Sequence, residues 1–192
     1  MKQNANTRPL RYSEICDEDI DTVSALAERY LTHGDYIQNA IDRETPRQNY
    51  LGIKVRDGEN IVGFFTFKEG IDFTTPHPAL EQKIRSLSVD GSIFNVDAVY
   101  VDSAYRHAGM GAEMMRRALS VLRAMDVKYL LFEFWIYPDG KIPALHLPDS
   151  DLRIVYEERL ERFYRDLPRY GMACPICGRD CKCGALIRLF AL

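Results

Sequence analysis

Arg106, Gly109 and Gly111 stand in the run Tyr105-Arg-His-Ala-Gly-Met-Gly-Ala112, between a β-branched stretch closing at Val101 and a segment with helical periodicity. Strand, glycine-bearing loop and helix in that order make an anion site. The first turn of a helix carries N–H groups with no intrahelical partner, and its aligned peptide dipoles place partial positive charge there. Glycines adopt backbone angles closed to other residues and let an anion reach the main chain without meeting a Cβ. Arg106 adds a forked cation. The chemistry on offer is the binding of a pyrophosphate by Arg106, His107, Ala108, Gly109, Met110, Gly111 and Ala112, partly through main-chain groups. A dinucleotide fingerprint fits less well, because it needs Gly-x-Gly-x-x-Gly and only Gly-x-Gly is present.

The second constellation is Cys174-Pro-Ile-Cys-Gly-Arg-Asp-Cys-Lys-Cys-Gly184. Cys174, Cys177, Cys181 and Cys183 supply the four sulfurs that a tetrahedral zinc site requires, within an unusually short hairpin. Structural zinc competes here with reduced, unligated thiols and with disulfide or redox chemistry. Cys16 is isolated and reads as packing. His33, His77 and His146 read as loop or helix-end residues, and among the histidines only His107 has a mechanistic reason to meet phosphate.

These residues need elements to hold them. Met110, Met114, Ala118, Val121, Leu122 and Met125 recur at three- or four-residue spacing, giving one apolar helical stripe with Arg116, Arg117 and Arg123 turned away. Val127 to Trp135 reads as a second, mostly buried strand, so residues 95–135 form a strand–helix–strand unit with its cofactor at the carboxyl end of the first strand. Upstream, Leu10 to Ile15 reads as a strand, followed by a helix carrying Ile20, Val23, Leu26, Tyr30 and Leu31. A shorter helix is expected over Asp35 to Arg43. Tyr50 to Val55 and Ile61 to Phe67 flank a hairpin turn at Arg56-Asp-Gly-Glu-Asn60. Two insertions, 68–92 and 137–150, interrupt the pattern, the first with a short helix from Ala79 to Leu87. Asp151 to Leu167 reads as helical, with Glu157-Glu-Arg-Leu-Glu-Arg162 as its solvated face.

A chain of 192 residues, 46% apolar, with a net charge of −3, fits one domain spanning 1–192 with a sizeable core. It lacks the overall basic footprint of a nucleic-acid binder. The polar start has no signal-peptide core, and no window approaches a membrane span. A cytoplasmic protein with no membrane or nucleic-acid partner is expected, with a homodimer left open.

Tyr105-Arg-His-Ala-Gly-Met-Gly-Ala112, preceded by Asp97-Ala-Val-Tyr-Val101, resembles the acetyl-CoA-binding motif of the GNAT superfamily of N-acetyltransferases. The family loop is Arg/Gln-x-x-Gly-x-Gly/Ala, and Arg106, Gly109 and Gly111 fill its fixed positions. His107 departs from it, since glycine often follows the arginine. The resemblance implies an α/β (α+β) fold, with a mixed, mostly antiparallel central sheet flanked by helices on both sides. It implies that the two strands around the cofactor loop splay, with acetyl-CoA in the cleft beside Val99, Tyr100 and Val101. The activity it implies is acetyl transfer to a primary amine of a small molecule or protein by direct attack.

That chemistry needs a neutral amine, so a group must take the proton that an alkylamine carries at neutral pH. Asp97 lies where several family members carry a glutamate, and strand alternation puts it on one face with Val99 and Val101. Its alternative role is to satisfy a neighbouring donor. Tyr164, in a segment resembling the family's last helix, is the candidate acid for the leaving thiolate, with Tyr156 and Tyr170 as competitors. The asparagine often found just after the second cleft strand is absent near Trp135. A rival reading is a non-catalytic CoA-binding sensor or interaction module with a zinc-braced C-terminal hairpin.

Overall fold

The computed structural model describes residues 9–30, 50–88, 91–142, 152–174 and 176–192. In chain order its elements are β1 (Arg11–Glu14), α1 (Ile20–Tyr30), β2 (Tyr50–Asp57), β3 (Asn60–Glu69), α2 (Pro78–Leu87), β4 (Ile93–Val101), α3 (Met110–Ala124), β5 (Tyr129–Ile136), β6 (Arg153–Leu160) and β7 (Gly184–Ala191). The expected helix at 35–43, residues Leu31, His33 and His146, and most of the second insertion lie outside the described residues.

The seven strands form one sheet in the order β1-β2-β3-β4-β5-β7-β6. Only β4 and β5 run parallel, and every other neighbouring pair is antiparallel. The parallel pair is the one joined through α3, as a strand–helix–strand crossover demands. Among the described residues, no helix is long and apolar enough to cross a membrane.

The alternation of side chains along each strand divides the core between two faces. Phe65 and Phe67 of β3, Phe94 of β4 and Leu130 and Phe132 of β5 pack against α3, which buries Met110, Met114, Met115, Ala118, Leu119 and Leu122. Met125, expected in that stripe, is exposed just past the helix end. A close approach at Gly63 seats the helix: a Cβ there would stand 2.8 Å from the Met110 sulfur. On the other face α1 packs Val23 and Ala27 against Phe64, Ala98 and Tyr100. Further along that face, α2 contributes Leu80 and Ile84 to a cluster with Phe163, Tyr164, Leu167, Ile187 and Leu189. Helices therefore cover both sides of the sheet.

Asp19 ties the start of α1 to β2. Its buried carboxylate accepts from the Lys54 ammonium, from Arg56 at 2.7 Å and from the Cys16 amide at 2.8 Å. Cys16 is accordingly not simple packing, because its half-buried thiol sits 2.7 Å from the same carboxylate.

The stretch 151–167 departs from expectation. It is not a helix: Arg153–Leu160 is the edge strand β6, and Phe163–Tyr170 is a 3-10 turn. Three consecutive charges, Glu157, Glu158 and Arg159, hide the two-residue period, which survives in burial as half-buried Tyr156, Glu158 and Leu160 against exposed Glu157 and Arg159. The unpaired edge of β7 offers a full ladder, which outweighs weak local helix preference. Charges on the new edge, including Glu157 paired with Arg188 and Glu158 with Lys83, guard it against further pairing.

Candidate active site

The ladder between β4 and β5 is brief. Ile93, Phe94 and Asn95 pair with Tyr129, Leu130 and Leu131, and there it stops. Among the described residues, Val96 to Val101 of β4 pair with β3 and Phe132 to Ile136 pair with β7. The two strands thus diverge after Asn95 and Leu131.

The loop at the mouth of that opening is held from several sides. The Asp102 carboxylate accepts from the Ala104 amide at 2.9 Å, capping a short 3-10 turn. The Tyr105 hydroxyl donates to Asp57 at 2.6 Å, fastening the turn to the β2–β3 hairpin. Arg106 donates from Nε to the Val101 carbonyl at 3.1 Å, which orients its guanidinium while the side chain stays exposed. The chain then enters α3 through Gly109 at φ +77°, and the first helical bond of this end runs from the Glu113 amide to the Gly109 carbonyl. Among the described residues, the amides of residues 107–112 meet no main-chain acceptor. Nothing lies within 4 Å of where a Gly109 Cβ would project. Free amides at a helix start, an adjacent arginine and open space above a glycine together fit a diphosphate. His107, where the motif often has glycine, takes the left-handed conformation at φ +64°.

The other side of the opening carries carboxylates. Asp97 does not share a face with Val99 and Val101. A β-bulge falls at this point, with Thr66 opposite Ala98 and Phe67 opposite Val96, so Asp97 is the extra residue. Its carboxylate turns to the Thr66 hydroxyl, which donates at 3.1 Å, while Val99 and Val101 pack with the α3-side core. Strict alternation fails here because a bulge shifts side-chain phase by one residue. Tyr100 is buried against Phe64 on the α1 side, which leaves its main chain to face the opening. Burial pushes the Asp97 carboxyl up to about 6, and Asp72 pushes the same way; the Thr66 hydroxyl and the Lys68 ammonium pull it down.

Glu133 on β5 was not singled out from the sequence. It lies two residues past Leu131, the last β5 residue paired with β4, as Asp97 lies two past Asn95. It accepts from the Thr74 amide at 3.0 Å and from the Thr74 hydroxyl at 2.6 Å. Burial raises its pKa, and Asp72 adds to the rise; Thr74 and Tyr164 oppose it. Asp97 and Glu133 thus both feel Asp72, which is itself paired with Lys68 at 2.8 Å. The available signal was a lone carboxylate amid Tyr129-Leu-Leu-Phe-Glu-Phe-Trp-Ile136.

Tyr164 lies in the 3-10 turn rather than on a last helix, and it is fully buried. Its ring stacks on Trp135 with centroids 3.7 Å apart, and its hydroxyl acts on Glu133. Tyr156 bonds to Glu158 on β6, and Tyr170 is exposed. His77 stacks on Phe163 at 3.9 Å and has Nε2 3.0 Å from the Thr75 hydroxyl.

The four hairpin cysteines converge. Cys174, Cys181 and Cys183 are buried and Cys177 is half-buried, with all four sulfurs within 4.8 Å of one another. Gly178, at φ +70°, closes the turn, and its amide and carbonyl bond to those of Cys174. The hairpin stands between β6 and β7 in the chain and packs beneath Trp135 and Tyr164.

A family model described as acetyltransferase (GNAT) family matches residues 13–148, more than half of the chain. Among solved structures, Arabidopsis thaliana NAA60 in complex with acetyl-CoA is similar at a TM-score of 0.63 and 15% identity, covering 96% of this chain and 99% of that one. The NatC complex bound to Gag peptide and CoA is similar at 0.62 and 13%, covering 96% and 99%. The ribosomal-protein-S18-alanine N-acetyltransferase from Escherichia coli follows at 0.55 and 11%, covering 95% and 94%. At these identities the structural likeness bears on the fold. No curated protein sequence matches the chain.

Proposed function

Because the chain belongs to the GNAT acetyltransferase family, we propose that it acts as one unit to move an acetyl group from acetyl-CoA to a primary amine, with the amine held at Asp97 and Glu133. The observation that carries the reading is the placement of these two carboxylates, each two residues past the end of the β4–β5 ladder, on strands of which the first leads into the open helix start at Gly109. The main-chain amides of residues 107–112, with Arg106, would hold the diphosphate. The stretch of β4 beyond its ladder with β5, at Val99, Tyr100 and Val101, would offer main-chain groups to the pantetheine arm and, at the thioester, an N–H donor for the oxyanion.

An ammonium entering this site meets carboxylates of raised pKa, which draw it in and can accept its proton. Asp97, ionised at neutral pH with a pKa of about 6, takes that proton and releases it to solvent. The neutral nitrogen attacks the thioester carbonyl. The C–N bond forms and the C–S bond breaks. The second proton shed by nitrogen passes to the departing sulfur, so the products are the amide and free CoA thiol. Tyr164 serves this step through Glu133. Its buried hydroxyl opposes the rise in that carboxyl's pKa.

The acidic floor favours an acceptor with positive charge, whether a cationic small molecule or a protein amine. The five free cysteines suit a reducing compartment such as the cytoplasm. The four-cysteine hairpin takes no part in the transfer step. The test is CoA-thiol release with panels of cationic amines and peptide N-termini, alongside a thermal-shift titration with acetyl-CoA. Turnover with any amine, abolished in Asp97→Asn, supports the reading. Tight acetyl-CoA binding without thiol release across the panels overturns it in favour of a CoA-binding module.

A further inference from the structure

We propose that Cys174, Cys177, Cys181 and Cys183 bind one zinc ion as four thiolates, and that the ion, through the Cys183 sulfur and the Trp135 indole, fixes the wall of the acceptor pocket. The second half of this proposal rests on the acetyl-transfer reading above.

Distance is the first argument. Zinc–sulfur bonds of about 2.3 Å at tetrahedral angles put neighbouring sulfurs about 3.8 Å apart. Cys183 Sγ lies 3.8 Å from Cys174 Sγ and 3.6 Å from Cys177 Sγ. One sulfur at that distance from two others is placed as the vertex of a polyhedron. The fourth sulfur, from Cys181, stands within 4.8 Å of the rest.

The main chain supplies the second argument. The amides of Ile176 and Cys177 donate to the Cys174 sulfur at 3.4 and 3.3 Å. Amides aimed at sulfur stabilise negative charge, as thiolates bound to a metal require. All-sulfur, four-coordinate sites with no open position select zinc, or iron where electron transfer is served. Nothing in acetyl transfer moves electrons, so zinc is the assignment.

The third argument links the hairpin to the cleft. The buried indole N–H of Trp135 finds no hydrogen-bond partner among the described residues, and Trp135 packs in the same cluster as Cys183, its cross-strand partner Ala185 lying two residues past that cysteine. A metal-bound thiolate is an acceptor strong enough to satisfy it. The indole in turn lies flat on Tyr164, and Trp135 and Glu133, two residues apart on β5, share a face of the sheet. One packed face therefore carries the four sulfurs, the indole and the carboxylate that we place beside the amine.

Trp135 is the sole tryptophan of the chain, so its fluorescence reports on this link directly. Metal analysis of the purified full-length protein should find one zinc per chain, lost in the Cys177→Ser/Cys181→Ser double variant. Exchange for cobalt should give the visible bands of a tetrahedral thiolate complex and quench Trp135 emission. If the double variant does not fold, cobalt exchange in the wild-type protein decides alone. Trp135→Phe should keep its zinc and its acetyl-CoA thermal shift, while kcat/KM for the acceptor falls about 10-fold or more. Absence of zinc, or its persistence in the double variant, overturns the site, and iron in its place overturns the choice of metal. Emission unmoved by cobalt, or unchanged acceptor kinetics in Trp135→Phe, overturns the coupling. A wild-type protein with zinc and quenching but no turnover would count against the acetyl-transfer reading and leave the metal site standing.

Discussion

Asp97→Asn separates a catalytic carboxylate from a structural one, because the two roles move stability and activity differently. Asp97 has a pKa of about 6 in the folded chain, against 3.8 ordinarily. A raised acid binds more protons folded than unfolded between those values, so stability falls as pH rises from about 4 to about 6. The difference of about two units costs up to about 3 kcal/mol at neutral pH. Asparagine is of equal size and carries no charge, and it keeps an oxygen for the Thr66 hydroxyl. The variant should therefore gain about 2 kcal/mol at pH 7, or roughly 4–8 °C in Tm for a chain of this length. At pH 4, where both forms are neutral in the fold, the gain should vanish. Loss of a general base should lower kcat/KM by about 10²- to 10⁴-fold. It should also remove the acid limb near pH 6 from the rate profile. Calorimetry across pH 4–8 and steady-state kinetics over the same range check both halves. A variant that is less stable at pH 7 and fully active would refute the assignment of a strained, working carboxylate.

Gly109→Ala and Gly171→Ala form a matched pair, since both glycines have positive φ, +77° and +74°, and neither Cβ would meet protein within 4 Å. Each should lose about 1–2 kcal/mol in denaturation, but only Gly109→Ala should raise KM for acetyl-CoA, by about 10- to 100-fold. His107→Gly should relieve the left-handed strain at φ +64° and raise stability by up to about 1 kcal/mol with KM for acetyl-CoA unchanged. Thr74→Val removes the hydroxyl that holds Glu133 down, so that carboxyl's pKa should rise further and any kinetic limb it contributes should move to higher pH. Lys54→Met should destabilise by about 1–3 kcal/mol, because the buried Asp19 carboxylate loses one cationic partner and keeps Arg56, with acetyl-CoA affinity intact as measured by calorimetric titration.

The strand–loop–helix around Gly109 was legible because its signals are local. A β-branched run, two glycines two apart and a three-to-four-residue apolar period each arise within a few residues, and all appear in the structure as β4, the turn at Gly109 and α3. The cysteine cluster was legible for the same reason. Glu133 was hidden because its importance is a matter of register: nothing short of pairing β4 with β5 shows that it stands level with Asp97. The strand at Arg153–Leu160 was hidden because its partner, Gly184–Ala191, lies far along the chain, and a ladder offered by a distant strand leaves no mark on local periodicity. Tyr164 was singled out for its hydroxyl, yet the helix expected to carry it is a 3-10 turn containing Pro168, and the ring is buried on Trp135.

The bulge at Asp97 and the opening of the sheet are one event. The parallel ladder ends at Asn95, and the extra residue enters β4 two positions later. A bulge bends its strand and sharpens the local twist, so β4 leaves the plane it shared with β5 at the point where the ladder stops. The same insertion reverses the phase of the side chains. Phe94 and Val96 face α3 before it, as do Val99 and Val101 after it, and Asp97 alone is turned to Thr66. Without the extra residue, alternation would keep β4 in register and Asp97 would exchange faces relative to the valines that follow. The opening between β4 and β5 and the turning of the Asp97 carboxylate to Thr66 therefore have a common origin in one residue of excess chain. A strand idealised by deleting one residue at 97–98 should fold with a longer β4–β5 ladder and give no acetyl-CoA thermal shift, and an undiminished shift in that folded variant would show that the cleft does not depend on the bulge.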